Sequence, residues 1–362
     1  VTTALVGGLL TGSSFAQTTV TGDLALTYNA LNKKIAGGLS TRGVGRESQI
    51  NIQNKGKLNN GMDYAAGFSL EFDGTGSSAA TVATAPDQSV SNENVYIDFI
   101  SGNTTFTIGV DHIQRGYAGA APMIVNITDQ MAGAGSSTTF VIGAATSESA
   151  GVGIMQKIPA AGITASAFYA PRSKDTGVGD MNALAATNGS NSSYEVGING
   201  VDTFGVKGLT VVAFYNSMAK SQSDFSGDVV GKQYGIGYNF GQFAVGIDKL
   251  IDENNNLAAA APQNVMGEST TGIKRDTRRL AASYAVTPTF TVALVEAKTE
   301  NSGRTTASQN GTETVRAIQA GYNLGPVAVT ASHNKFTNLA GRTGVVPTDD
   351  GSLSILRLTT KF

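Results

Sequence analysis

The sequence has 362 residues, with 45 Gly, no Cys, no Trp, 14% charged residues and a formal net charge of -2. Without thiols there are no disulfide scaffolds, zinc ribbons or cysteine nucleophiles, and 25 basic against 27 acidic side chains leave no electrostatic footprint for nucleic acid. Glycine stands at nearly twice its average usage of about 7%, without the every-third spacing of collagen, and 41% hydrophobic residues argue against disorder, so a glycine-rich β-protein is expected.

The chain starts VTTALVGGLLTGSSF, followed by Ala16 and Gln17. An apolar run from Ala4 to Leu10, with Ser14 and Ala16 at the -3 and -1 positions of a cleavage site, reads as the remainder of a signal peptide lacking its first residues. The expected organisation is a signal over 1–16 and one domain over 17–362.

From Val20 onward, apolar residues recur at every second position. The rows include Val20, Leu24, Leu26 and Tyr28; Met62, Tyr64, Ala66, Phe68, Leu70 and Phe72; Val95, Ile97 and Phe99; and Phe106, Ile108 and Val110. Further on come Tyr194, Val196 and Ile198; Tyr234, Ile236, Tyr238 and Phe240; Phe243, Val245 and Ile247; Leu280, Ala282, Tyr284 and Val286; Ile318, Ala320, Tyr322 and Leu324; and Leu356, Leu358, Thr360 and Phe362. This period predicts strands with one apolar and one polar face. Short turns at 101–103, 158–162, 287–289 and 325–326 alternate with long segments at about 29–45, 74–92, 172–192, 219–231, 253–276, 300–313 and 337–351. Short turns at one end and long loops at the other are the pattern of an outer-membrane barrel. A hairpin with its turn and loop takes roughly 42 residues, which predicts about sixteen strands. Parity places Thr139 to Ala145 (TFVIGAA) outside the wall, so 112–149 becomes one very long connection after the fifth strand.

The inter-row phase holds Gln49, Asn51, Gln53, Asp63, Ser69, Glu71, Asp98, Thr107, Glu195, Gln233, Asp248, Arg279, Gln319, Asn334, Arg357 and Lys361, expected to line water. Glycines in that phase, such as Gly67, Gly109, Gly197, Gly235, Gly237 and Gly246, are expected to leave room in the lumen. Sixteen strands close around an aqueous channel.

The terminal Phe362 closing an alternating strand, the hairpin KLNNGMDYAAGFSLEF at Lys57 to Phe72, the leader and the long third loop together resemble the general porins of Gram-negative bacteria. The resemblance implies an all-β, transmembrane antiparallel β-barrel of about sixteen strands with the third loop folded into the lumen. It also implies a homotrimer in outer-membrane lipid, inserted by the barrel-insertion machinery that reads Phe362, and passive diffusion of small hydrophilic solutes and ions. In such a channel acidic residues of the third loop face basic residues across it. The candidates are Asp111, Asp129 and Glu148, with Arg115 nearby, opposed by Arg42, Arg46, Lys157, Arg279 and Arg357 on the wall or rim. Arg42, in a glycine-rich loop, also reads as a solvated surface charge, and the phase of Arg46 matches that of Ile50 and Ile52, which points it to the outer rim. The sequence departs from the family in having Thr360 where a bulky residue is usual and in lacking a PEFGG-like stretch.

No enzyme is expected. His112 and His333 are far apart, and no phosphate loop, GxSxG elbow or Rossmann turn is present. No cofactor is expected, although the oxygen donors from Asp252 to Asn256 are of the kind that hold calcium. Three rival readings remain: a substrate-specific channel, a secreted β-rich adhesin, which requires a short repeat that is not apparent, and a barrel enzyme, which requires a catalytic Ser/His or Asp/His set.

Overall fold

A computed structural model of the chain describes residues 17–34, 39–72, 91–110, 150–171, 192–218, 229–253, 274–302, 310–338 and 350–362. These form sixteen strands: β1 (Gln17–Lys34), β2 (Leu39–Lys57), β3 (Asp63–Glu71), β4 (Ser91–Ser101), β5 (Thr104–Val110), β6 (Ala150–Ile158), β7 (Ile163–Ala170) and β8 (Ser193–Val201). The series continues with β9 (Leu209–Met218), β10 (Val229–Phe240), β11 (Phe243–Glu253), β12 (Lys274–Thr287), β13 (Phe290–Ser302), β14 (Gly311–Asn323), β15 (Val327–Thr337) and β16 (Asp350–Lys361). Each strand pairs antiparallel with the next and β16 returns to β1, so the sheet closes without an edge. Residues 111–149, with the TFVIGAA stretch and the proposed third loop, lie outside the described residues, as do 1–16. The wall closes without 111–149, because β5 pairs directly with β6 from Thr104↔Gln156 to Val110↔Ala150.

The terminal residue completes the closure. Phe362 and Gly22 exchange two backbone hydrogen bonds, each 2.9 Å. Gly22 allows this contact: a Cβ there would lie 2.7 Å from Phe362 Cε2 and 2.9 Å from the carbonyl oxygen of Gln49. Short connections gather at one end of the barrel, as between Ser101 and Thr104, and around the 3-10 turns Pro159–Ala161 and Thr203–Gly205. In the second of these, Asp202 takes φ 56° and accepts the N–H of Gly208 on Oδ1 at 2.6 Å.

The faces separate as the period-two pattern predicts. Outward rows such as Tyr234, Ile236, Tyr238 and Phe240 on β10 and Phe243, Val245 and Ile247 on β11 are exposed. Inward Gln233 and Asp248 are buried. Such a surface suits hydrocarbon outside and water inside. No described helix is long and apolar enough to cross a membrane; the crossing elements are strands. Near the short turns the outer face carries aromatic contacts: Phe240–Phe243 at 5.8 Å, Phe243–Tyr284 at 4.6 Å and Phe290–Tyr322 at 6.2 Å between ring centroids. They form part of the girdle expected at a membrane interface.

Two expectations need correction. The loop expected over 29–45 is largely strand: β1 runs to Lys34 and β2 begins at Leu39, with Tyr28↔Val44 and Ala30↔Arg42 in register. Gly43 and Gly45 do not break the strand because extended backbone is open to every residue and both are held in register with β1, opposite Asn29 and Thr27. The inner face is also not uniformly polar. Ala281, Val295, Ala297, Val315, Ala317 and Phe336 form a buried apolar cluster on β12 to β15, with Leu31 and Leu353 packed against it.

Candidate functional site

The inner wall is a set of cross-strand polar contacts fixed by register. On β11 and β12, Asp248 and Arg279 are direct partners, and neither side chain is exposed. Arg279 Nε donates to Asp248 Oδ1 at 2.7 Å and its Nη2 donates to Oδ2, while Gln233 of β10 donates to the same Oδ2 at 3.3 Å. A two-point guanidinium–carboxylate contact of this kind satisfies both buried charges and fixes the orientation of each. Arg279 Nη1 has no hydrogen-bond partner.

A second contact crosses β1. Arg357 of β16 donates from Nη2 to Glu47 Oε2 of β2 at 2.8 Å. The strand between them offers Ala25, opposite Glu47, and Thr27, opposite Arg357, and these short side chains let the arginine pass over. On β4 and β5, Thr107 donates to Asp98 at 2.5 Å, and Gln53 of β2 donates to the Tyr96 hydroxyl. Ser69 of β3 accepts from Asn94 Nδ2 at 2.9 Å. On β8 and β9, buried Glu195 is opposite buried Asn216.

At two inward glycines the room left by the missing side chain is taken up by a neighbouring strand. At Gly67 an added Cβ would lie 3.0 Å from the Tyr96 hydroxyl oxygen, and at Gly151 it would lie 2.6 Å from Phe168 Cζ. At both positions the space is filled by the ring of an inward aromatic on a neighbouring strand, which lies close against the wall. The inward aromatics Phe168, Phe214 and Phe336 were not foreseen; Phe168 and Phe214 sit one position from an outward tyrosine, so both phases of their strands read as apolar.

The charged residues singled out in the sequence divide. Arg279 and Arg357 are inward, on β12 and β16. Lys157 is also inward by register, opposite Thr164, but stands beside the Pro159–Ala161 turn at the short-turn mouth. Arg42 and Arg46 are exposed and register with outward Ala30 and Leu26, so they face away from the lumen. The continuous β1–β2 ladder fixes their parity. Asp111, Arg115, Asp129 and Glu148 lie outside the described residues. His333 is outward, with Nδ1 2.8 Å from Ser354 Oγ. No described cluster of His, Cys, Asp and Glu could hold a metal ion; of the oxygen donors considered for calcium, 254–256 fall outside the described residues.

The wall therefore offers water a face of carboxylates, guanidinium groups, amides and hydroxyls inside a closed apolar exterior. Comparison with known proteins agrees with this arrangement. The family model of Gram-negative porins matches residues 1–341. No curated protein sequence matches the chain. Among solved structures, a loop-deletion variant of OmpT, an outer membrane protein of Vibrio cholerae, aligns with TM-score 0.62 and 13% identity over 96% of this chain and 99% of that one. A mutant of the Rh. blastica porin aligns with TM-score 0.58 and 14% identity over 96% of this chain and 100% of that one.

Proposed function

Given that the chain belongs to the Gram-negative porin family and forms a channel in the bacterial outer membrane, we propose that it is a non-catalytic pore through which small hydrophilic solutes and ions diffuse down their gradients as a homotrimer. The closed sixteen-strand wall with a polar inner face carries this reading. Such a wall lowers no chemical barrier; it replaces lipid by water along a path and sorts solutes by width and charge.

Residues 112–149 narrow the path in this proposal, with Asp111, Arg115, Asp129 and Glu148 set against Arg279 and Arg357. The length of that connection and the resemblance to porins support the arrangement. Arg42 and Arg46 are removed from it by their outward register. The trimer has a suitable contact surface on β5 to β9, whose outward strand positions include Ala165, Ala167 and Ala213 and carry no described Asp, Glu, Lys, Arg or His. No resident cofactor is proposed.

Planar-bilayer recording of the purified protein tests the function. Steady conductance in steps of three is expected, and silence in every salt overturns the channel. Asp129→Asn is expected to shift the reversal potential; an unchanged value removes that residue from the constriction.

A further inference from the structure

The ring of strands is closed, but its rim is stepped beside β2. β3 ends at Glu71, opposite Gln49, and just beyond it the Phe72 N–H donates to the Ser48 carbonyl at 2.8 Å. β2 extends past that point over 39–47, where among the described residues it is paired with β1 on one side only. At roughly 3.3 Å per residue this is about 30 Å of strand with one edge bare. Because the Ser48 carbonyl faces β3, period two turns the N–H and C=O of Arg46, Val44 and Arg42 to the same bare side. These three residues are outward and exposed, Val44 at 76%.

Two further features mark this edge. From Leu24 to Arg46 the sequence has four cations and no carboxylate, and among the described residues neither Arg42 nor Arg46 has an ion-pair partner. The glycines of this stretch are also uncovered. Elsewhere in the wall Gly56, Gly67, Gly151 and Gly351 each lie against an aromatic ring, of Tyr64, Tyr96, Phe168 and Phe336 respectively. Among the described residues, a Cβ at Gly43 would meet nothing within 4 Å, and one at Gly45 only the Thr27 carbonyl oxygen at 3.9 Å. The bare edge thus lacks a hydrogen-bonding partner strand, rings over its glycines and carboxylates for its arginines.

We propose that this edge binds an extended acidic segment of another polypeptide by strand addition. Main-chain bonds to Arg42, Val44 and Arg46 supply the attachment, and side chains at alternate positions supply the choice of partner. Antiparallel pairing sets carboxylates opposite Arg42 and Arg46, an apolar residue opposite Val44, and two rings over Gly43 and Gly45. A second copy of the chain is a poor occupant, because two β2 edges paired about Val44 place Arg42 opposite Arg46 twice. The sequence that follows β3 is a poor one too: continued register would set Asp73 opposite Glu47, and Gly74, Gly76 and Ser78 opposite Arg46, Val44 and Arg42. The long-connection end of such a barrel faces the outside, so the partner is met at the cell surface. The inference rests on the barrel lying in the outer membrane and is independent of its conductance.

The test follows the fluorescence anisotropy of a labelled peptide with the core Glu-Phe-Val-Tyr-Glu, titrated with the full chain in neutral detergent. Saturable binding is expected, weaker as salt is raised and roughly fivefold weaker when both glutamates are made glutamine. N-methylation of the central valine blocks an amide that faces β2 and lowers affinity by about tenfold or more. N-methylation of the two aromatic residues, whose amides face away from β2, leaves the affinity unchanged. Val44→Pro removes an N–H from the bare side and loses the peptide, while the β1 ladder is kept because that N–H takes no part in it. Absence of binding overturns the proposal. So does equal binding of the two methylated peptides, or of a scrambled peptide of the same charge, either of which shows attraction by charge alone. The peptide series uses only the native chain and decides the matter even where Val44→Pro fails to fold. A native chain that binds the peptide but does not conduct overturns the channel and leaves the edge site standing.

Discussion

Arg279 meets Asp248 inside a wall where neither side chain reaches solvent, so each charge depends on the other. Arg279→Leu strands a buried carboxylate and is expected to lower stability by about 3–5 kcal/mol. Asp248→Leu should cost a comparable amount, while the double replacement should recover much of the loss, since no charge is then left unpaired. Urea unfolding followed by far-UV circular dichroism measures all three; additive losses would show that the two side chains act separately. The inward phase of both residues was legible from period two alone. Their pairing was not, because it depends on the register between β11 and β12, which is set by the whole ladder from Phe243↔Tyr284 to Asp252↔Arg275. Gly151 makes the same point in space: Gly151→Val drives a side chain into the Phe168 ring and the backbone of Tyr169. Overpacking there is expected to cost about 1–3 kcal/mol in the same assay, and a neutral result would mean that the ring moves freely into the lumen.

Among the elements, the strands hardest to read were those with apolar residues in both phases. On β13, Val292 and Leu294 point outward while Val295 and Ala297 pack inward with Ala281, Val315 and Ala317 and Ala293 is buried on the same inner face, which erases the alternation over half the strand. β7 and β9 carry Phe168 and Phe214 inward beside outward Tyr169 and Tyr215, with the same result. By contrast β10 and β11, with Gly, Gln and Asp between apolar residues, were plain. The turn between β8 and β9 is held by a side chain that no periodicity reveals: Asp202, left-handed at φ 56°, accepts the Gly208 N–H. Asp202→Ala loses that bond and keeps the unfavourable φ, for an expected cost of about 1–2 kcal/mol. Asp202→Gly loses the same bond but removes the steric penalty, so its cost should be near zero. Equal losses in the two variants, by unfolding midpoint, would leave backbone conformation without a role at this turn.

Over the whole molecule, function follows from the sum of charge around the lumen. The described inward side chains of the strands include eight carboxylates (Asp23, Glu47, Asp63, Glu71, Asp98, Glu195, Asp248 and Glu313) and seven cations (Lys55, Lys57, Lys157, Arg275, Arg279, Arg357 and Lys361), and Lys33 and Asp252 add one further inward position of each sign. Asp248 and Glu47 are tied to arginines across the ladder, and Lys57 meets Asp63 at 2.6 Å. A wall so nearly balanced, with opposite charges in contact, projects little net potential into the lumen. Whatever remains decays over about 10 Å at 0.1 M salt and about 3 Å at 1 M. The expected reversal potential in a potassium chloride gradient is therefore small and shrinks further as both baths are made more concentrated. Glu47→Gln removes one carboxylate and frees Arg357, a local change of one positive charge on the inner wall. It should move the reversal potential toward anion preference by more at low salt than at high salt, with single-channel conductance nearly unchanged because the side-chain volume is kept. A wild-type pore that is strongly selective at high salt would mean that residues beyond these strands set the permeation barrier; a Glu47→Gln shift independent of salt would mean that the change acts on pore width and not through charge.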